Sequence, residues 1–406
     1  MKLVEDGTIT TPSGFSAAAV SCGLKSSGGL DLAIVHSPTD CSAAGVFTRN
    51  KVAAAPVIVD KDTLAGSSDR IRAVVINAGV ANACTGPRGL AAARASQTLT
   101  AKAVDCLSDQ VLVLSTGVIG VLLNIEKMAE GIAVAGMQLS PENGLAAARA
   151  IMTTDTQPKH LAARIELASG WVTLGGMAKG SGMIHPDMAT MLAVLTTDAA
   201  VSPQDLDYVL RRSVDRSFHR ISIDGDTSTN DTVLILANGA SGIRVDERGA
   251  LEMFAEGVEA VCGELARKIV RDGEGASKFI TLVVSGARSE AEAVTVGRVI
   301  ATSPLVKTAF AGGDPNWGRI VAAAGRSGVE FDPDRLALWV AAETGREIPV
   351  VRGGAPMEMD VSELSAIFKL PSFRVHLDLG EGRGEATVWT CDLTREYVSI
   401  NADYHT

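Results

Sequence analysis

The residues from Lys179 to Thr197 constrain this chain more tightly than any other stretch. Lys179-Gly180-Ser181-Gly182-Met183-Ile184-His185-Pro186-Asp187-Met188-Ala189-Thr190 is broken by two glycines and a proline, and it runs directly into Met191-Leu192-Ala193-Val194-Leu195-Thr196-Thr197. An apolar run of that length, bounded by turn formers and closed by threonines, reads as a buried strand. A threonine at the head of such a strand points to a hidden chain start. Were the bond between Ala189 and Thr190 cut, Thr190 would carry a hydroxyl nucleophile and a free α-amine on one residue, a complete nucleophile and base pair.

The bulk numbers set the frame for that strand. A chain of 406 residues fits two or three domains and a large core. Hydrophobic residues make up 46% and aromatics 4%, so the core is built of Ala, Val, Leu and Ile, which suits a layered α/β (α+β) protein. The net charge of -10 argues against nucleic acid or an anionic membrane as the partner, since either needs a basic face. The six cysteines are scattered without a CxxC pair and read as buried reduced thiols. No histidine spacing matches a metal site, so none is expected. The N-terminus turns acidic at once and shows no signal-peptide core. The apolar stretch Val111–Leu123 is too short and too broken to span a bilayer, so the cytoplasm is the expected location.

Along the chain, Ala53–Val59 reads as an extended run that tolerates Pro56 at a sheet edge. Ala73–Ile76 is a short buried strand ending in the polar loop Asn77–Gly86, which lines a site or caps a turn equally well. Val111–Leu114 is a strand that breaks into Ser115-Thr116-Gly117, where a glycine lets backbone N–H groups face a cleft; alone this is a weak signal. Thr153-Thr154-Asp155-Thr156 is a capped turn or a ligand-facing loop. Trp171–Leu174 and Val233–Leu236 are strands, and Gly175–Ala178 leads into Lys179. Met253, Phe254, Val258, Val261, Leu265 and Ile269 make a helical stripe. Asp224–Thr232 has the composition of a calcium loop without its closing glutamate. Glu274 sits between two glycines, where a solvated turn competes with pairing to a ligand amine. Asp314-Pro315-Asn316-Trp317-Gly318-Arg319-Ile320 reads first as a structural turn. The chain closes on a polar segment, Asn401–Thr406, whose composition suggests that it packs against something.

Taken in order, Asn77–Gly86, Ser115–Gly117, Met152–Thr156, Lys179–Leu192, Asp226–Thr232, Asp272–Lys278, Asp314–Ile320 and Asn401–Thr406 resemble the ArgJ family, the ornithine acetyltransferases or glutamate N-acetyltransferases of arginine biosynthesis. The blocks at Lys179–Leu192 and Asp314–Ile320 are the most specific, and Val80 is a departure in the first of the motifs. The resemblance implies a two-domain ArgJ/DmpA-like fold of mixed sheets covered by helices, of the self-cleaving N-terminal-nucleophile type. It implies cleavage between Ala189 and Thr190 into an alpha fragment, residues 1–189, and a beta fragment, residues 190–406, which stay associated as α2β2. It implies Thr190 as acetyl acceptor and Thr116 and Gly117 as oxyanion hole. Thr153, Lys179, Thr190, Glu274, Asn401 and Thr406 would bind substrate, namely N-acetylornithine and glutamate. No cofactor is implied, with acetyl-CoA open as a second donor. The same residues would serve an N-terminal-threonine amidase or aminopeptidase in which water is the final acceptor. A binding protein for acetylated amino acids, with Thr190 an ordinary strand residue, is the non-enzymatic alternative.

Overall fold

Two mixed sheets organise the chain. The computed structural model describes residues 1–26, 28–185 and 191–403. Within these, the first strands are β1 (Lys2–Val4), β2 (Ser16–Val20), β3 (Leu32–Phe47), β4 (Ile71–Val80), β5 (Val111–Val118), β6 (Lys159–Leu167), β7 (Gly170–Lys179) and β8 (Leu192–Thr197). The later ones are β9 (Ile221–Ser222), β10 (Thr232–Ala237), β11 (Phe279–Ala287), β12 (Ala337–Ala342), β13 (Ile348–Arg352), β14 (Ala355–Pro356), β15 (Ser372–Asp378) and β16 (Gly384–Cys391). The first sheet runs β1-β6-β7-β8-β10-β3-β4-β5, with β2 paired to β3, and the second β14-β13-β12-β15-β11-β16-β9.

The parallel pair β8 and β10 forms the centre of the first sheet, and all their residues are buried. Their side chains alternate faces, as a pleated strand requires. Ala193, Leu195, Val233 and Ile235 join one apolar cluster, whereas Leu192, Val194, Leu234 and Leu236 join another. This double burial is why both strands are continuous apolar runs in the sequence. Helices α1 (Ala55–Ser67), α2 (Gly86–Ala103), α3 (Ile125–Met137), α4 (Gly144–Ala150), α5 (Pro203–Asp215) and α6 (Arg248–Arg271) cover this sheet. On α6, Phe254, Val258, Val261, Leu265 and Ile269 are fully buried, while Met253 of the same expected stripe is exposed. Each buried Val, Leu or Phe side chain contributes about 1.5–3 kcal/mol. The second sheet packs against α7 (Glu290–Ala301), α8 (Pro304–Gly312), α9 (Trp317–Gly325) and α10 (Val361–Phe368), with Phe310, Phe368 and Phe373 in mutual ring contact. A last helix, α11 (Arg395–Asp403), follows β16.

Three expectations change. Ala53–Val59 is not an edge strand: α1 begins at Ala55 with Pro56 in its first turn. Proline is favoured there because the first-turn N–H groups have no helical partner to lose. Gly175–Ala178 is the second half of β7, not a lead-in, and β5 continues through Thr116 and Gly117 instead of breaking before them. The bond between Ala189 and Thr190 falls between the neighbouring strands β7 and β8. Residues on both sides of it therefore build the first sheet, and the second sheet is drawn wholly from residues after it. Among the described residues, no helix is long and apolar enough to cross a membrane.

Candidate active site

The C-terminal ends of β4 and β5 supply the first wall. Gly117 has φ +130°, and a Cβ there would lie 2.2 Å from the Gly79 carbonyl carbon, so this position takes glycine only. Gly79, at φ +108°, makes the matching bend in β4, and the register shifts at this point. The side chain of Asn230 fastens the wall from the other side, donating to the Ala81 carbonyl at 2.6 Å and to the Ser115 carbonyl at 2.8 Å. Thr116 is buried, and its hydroxyl lies 3.4 Å from the Lys179 ammonium.

Lys179, at the end of β7, is the hub. It is buried, it donates to the Thr153 hydroxyl at 2.7 Å, and its Nζ lies 3.9 Å from Asp155 Oδ2. Burial pulls the Lys179 ammonium below the usual lysine range; Asp155 opposes that fall and Lys159 adds to it. Asp155 accepts from the Gly180 N–H at 2.7 Å, the Thr153 N–H at 3.0 Å and the Lys159 ammonium at 2.5 Å. Burial works against ionisation of Asp155, but the two lysines and these hydrogen bonds outweigh it and hold the carboxyl at about 2.

Glu274 enters on the loop after α6. Its N–H donates to the Ser181 carbonyl at 2.7 Å, and its carboxylate accepts from the Asn401 amide at 2.9 Å. Gly275, at φ +64°, lets α11 dock on this loop: a Cβ there would lie 2.4 Å from the Tyr397 nitrogen. Of the C-terminal segment expected to pack, Asn401 reaches Glu274, whereas Asn401, Ala402 and Asp403 are exposed; Thr406 lies outside the described residues.

Ala189 and Thr190 also lie outside the described residues, but their flanks are defined. Upstream, Asp224 accepts from the Met183 and Ile184 N–H groups at 2.6 and 2.9 Å and holds Met183 at φ +56°. Downstream, Asp231 accepts from the Met191 N–H at 3.1 Å, and its other oxygen has no partner among the described residues. Burial pushes the Asp231 carboxyl well above the usual range, against the Met191 N–H and Lys179, which both lower it.

Thr116, Thr153 and Lys179 therefore meet directly. Glu274 joins them through Ser181, the partner of Thr154 at 2.6 Å, and Asn401 joins through Glu274. Sequence reasoning assigned no role to Asp155, Lys159, Asp231 or Gly182. Lys159 follows Asp155 by four residues, but across a turn that enters β6 and not on a helix, so the spacing gave no signal. The thiols are less uniform than expected: Cys41, Cys262 and Cys391 are buried, and Cys84 is exposed on the Asn77–Gly86 loop. Trp317 packs half-buried against the second core and Arg319 donates to the Leu305 carbonyl at 2.9 Å, so the segment is structural as expected, but Trp317–Ile320 is the start of α9, capped by Asn316, and not a turn. A groove of about 950 Å³ between α1 and α5 contains none of the residues that converge on Lys179.

Sequence likeness to known proteins runs along nearly the whole chain. A profile of the ArgJ family matches residues 16–406. The chain belongs to the ArgJ family. It is 46% identical to the arginine biosynthesis bifunctional protein ArgJ of Dehalococcoides mccartyi, over 100% of this chain and 98% of the relative. It is 47% identical to the protein of the same name from Thermotoga neapolitana, over 97% and 99%. Among solved structures it is similar to ornithine acetyltransferase complexed with ornithine from Mycobacterium tuberculosis, at 41% identity and a TM-score of 0.42, over 46% of this chain and 97% of the other. The family's fold class is what the two mixed, helix-covered sheets display.

Proposed function

We infer that this ArgJ-family chain is a glutamate N-acetyltransferase of arginine biosynthesis, which moves the acetyl group of N-acetylornithine to glutamate through an acetyl ester on Thr190. The observation that carries this reading is the full-length likeness to the bifunctional arginine-biosynthesis proteins, together with the convergence of Thr116, Thr153 and Lys179.

Cleavage between Ala189 and Thr190 frees an α-amine whose ordinary pKa is about 7.7–8.0, so a fraction is neutral near pH 7 and accepts the Thr190 hydroxyl proton. The oxygen attacks the acetyl carbonyl carbon, the C–N bond breaks, and ornithine leaves with a proton on its nitrogen. The amine of glutamate then attacks the ester and restores the hydroxyl, a ping-pong sequence. Thr116 and Gly117 stabilise the tetrahedral oxyanion in each half; one such donor contributes about 3–4 kcal/mol. Lys179 receives a substrate carboxylate, Glu274 with Asn401 receives a substrate amine, and Thr153 and Thr406 complete the pocket. The reading extends to acetyl-CoA as a second donor, in line with the word bifunctional in the relatives' names, to an α2β2 assembly of the two fragments and to a cytoplasmic location.

Release of ornithine from N-acetylornithine, assayed with and without glutamate, tests the reading. Transfer predicts N-acetylglutamate formed in step with ornithine. Ornithine released at full rate without any acceptor would mark the chain as an amidase. Thr190→Ala is expected to stay one intact chain without transferase activity, and retained transfer in that variant would remove Thr190 from its role.

A further inference from the structure

Behind Lys179 stands a row of charges that the reaction itself does not use. Asp272, at the end of α6, accepts from the Lys159 ammonium at 2.5 Å. Lys159, at the start of β6, also donates to Asp155 at 2.5 Å. Asp155 in turn faces the Lys179 ammonium at 3.9 Å. Signs alternate along the row, two carboxylates against two ammonium groups. The side chains of Asp155, Lys159 and Lys179 are at most 3% exposed and that of Asp272 is 11% exposed. Ion pairs so far from water are screened little by salt.

The same carboxylates hold the loop that carries Thr153. Asp155 takes the Thr153 N–H, and Asp272 takes the Thr156 N–H at 3.0 Å together with the Thr156 hydroxyl. One network therefore spans the ends of α6, β6 and β7. Glu274 follows Asp272 by two residues on the same loop.

We propose that Asp272, Lys159 and Asp155 form a relay of positioning residues that fixes the place and the charge of Lys179, and so governs how the pocket takes the carboxylate of its substrates. The proposal rests on the reading above that Lys179 meets that carboxylate. Without Asp155, Lys179 would lose its nearest anion and keep Lys159 as a repelling neighbour. Without Lys159, Asp155 would act on Lys179 undivided. The remaining charged groups that act on Lys179 are Glu274 and Asp231, which favour its ammonium, and Lys25, whose own ammonium is opposed by that of Lys179. None of these three is removed by the substitutions.

The relay makes a prediction of opposite signs. In the cleaved enzyme, kcat/KM for N-acetylornithine is measured against pH for the wild type, Asp155→Asn, Asp272→Asn and Lys159→Met. Loss of the Lys179 charge sets the basic limb of this profile. Asp155→Asn should move that limb down by about 1–3 pH units, with the change mainly in KM. Asp272→Asn, at the more accessible end of the row, should move it down by less and serves if Asp155→Asn does not fold. Lys159→Met should move it up. Limbs that stay at the wild-type pH in the folded variants, or that move the same way for Asp272→Asn and Lys159→Met, would overturn the relay and reduce these residues to loop scaffolding. A wild-type enzyme that does not turn over N-acetylornithine would instead overturn the function on which the relay rests.

Discussion

Gly182 offers a way to displace the Glu274 carboxylate, to which the proposed function gives a substrate amine, without substituting Glu274 itself. A Cβ at this position would lie 2.4 Å from Glu274 Oε2, 2.5 Å from its Cδ and 2.6 Å from Oε1. Ordinary contacts begin near 3.4 Å, so in Gly182→Ala the carboxylate must retreat by about 1 Å. The obstacle is the far end of a flexible side chain, so the fold absorbs it. Gly182 is not among the positive-φ residues, and alanine at a compatible position stabilises by about 0.4–1 kcal/mol through the unfolded state. Glu274, however, leaves the place where Asn401 holds it at 2.9 Å. A charge-assisted hydrogen bond is worth about 1.5–3 kcal/mol, and a misplacement of about 1 Å costs up to ~100-fold in rate. The expected result is a fall of about 10–100-fold in kcat/KM for N-acetylornithine, with a melting temperature equal to or above that of the wild type. Steady-state kinetics and thermal unfolding of Gly182→Ala, Glu274→Gln and the double variant measure this. The double variant should lose little more than Glu274→Gln alone, because both changes act on one group. Wild-type kinetics in Gly182→Ala, or losses that simply multiply in the double variant, would refute the argument.

Gly117→Ala should abolish transfer and destabilise by more than about 2 kcal/mol, because its Cβ meets the Gly79 backbone and not a movable side chain; activity and urea unfolding check this. Asp155 is held at about 2, below its ordinary 3.8, so its ionised form adds stability that is complete above that ordinary value and is lost as pH falls through about 2. The amount is about 2 kcal/mol, and urea unfolding between pH 5 and 2 should show it in the wild type and not in Asp155→Asn. Asp231 has the opposite sign: its raised carboxyl contributes stability at low pH that is lost as pH rises through the folded-state value. Asp231→Asn should therefore gain on the wild type as pH increases, and parallel stability curves for the two proteins would contradict that.

Local pattern carried most of the central sheet. β8 and β10 are legible because both faces are buried, and the α6 stripe because a single helix face repeats every three or four residues. Ala53–Val59 misled because valine and isoleucine favour strands, whereas Pro56 at the head of that run is an equally local signal for a helix start. The site was legible only in part. Thr116, Thr153, Lys179 and Glu274 stand in recognisable motifs, and the fold brings Thr116 and Thr153 onto Lys179, with Glu274 linked through Ser181. The relay behind Lys179 was not legible, because Asp272 lies 113 residues from its partner Lys159 and only the packing of α6 against β6 joins them. Gly182 was not legible as a spacer for Glu274 for the same reason: a missing side chain has meaning only once the neighbour is known.

The account turns on Thr190 as an N-terminal nucleophile. Intact-mass measurement of the purified protein, incubated with N-acetylornithine in the absence of glutamate, tests this directly. The account predicts two species, residues 1–189 and residues 190–406, with the second heavier by one acetyl group that disappears when glutamate is added. An uncut chain of 406 residues that still transfers acetyl, or an acetyl group carried on residues 1–189, would contradict it.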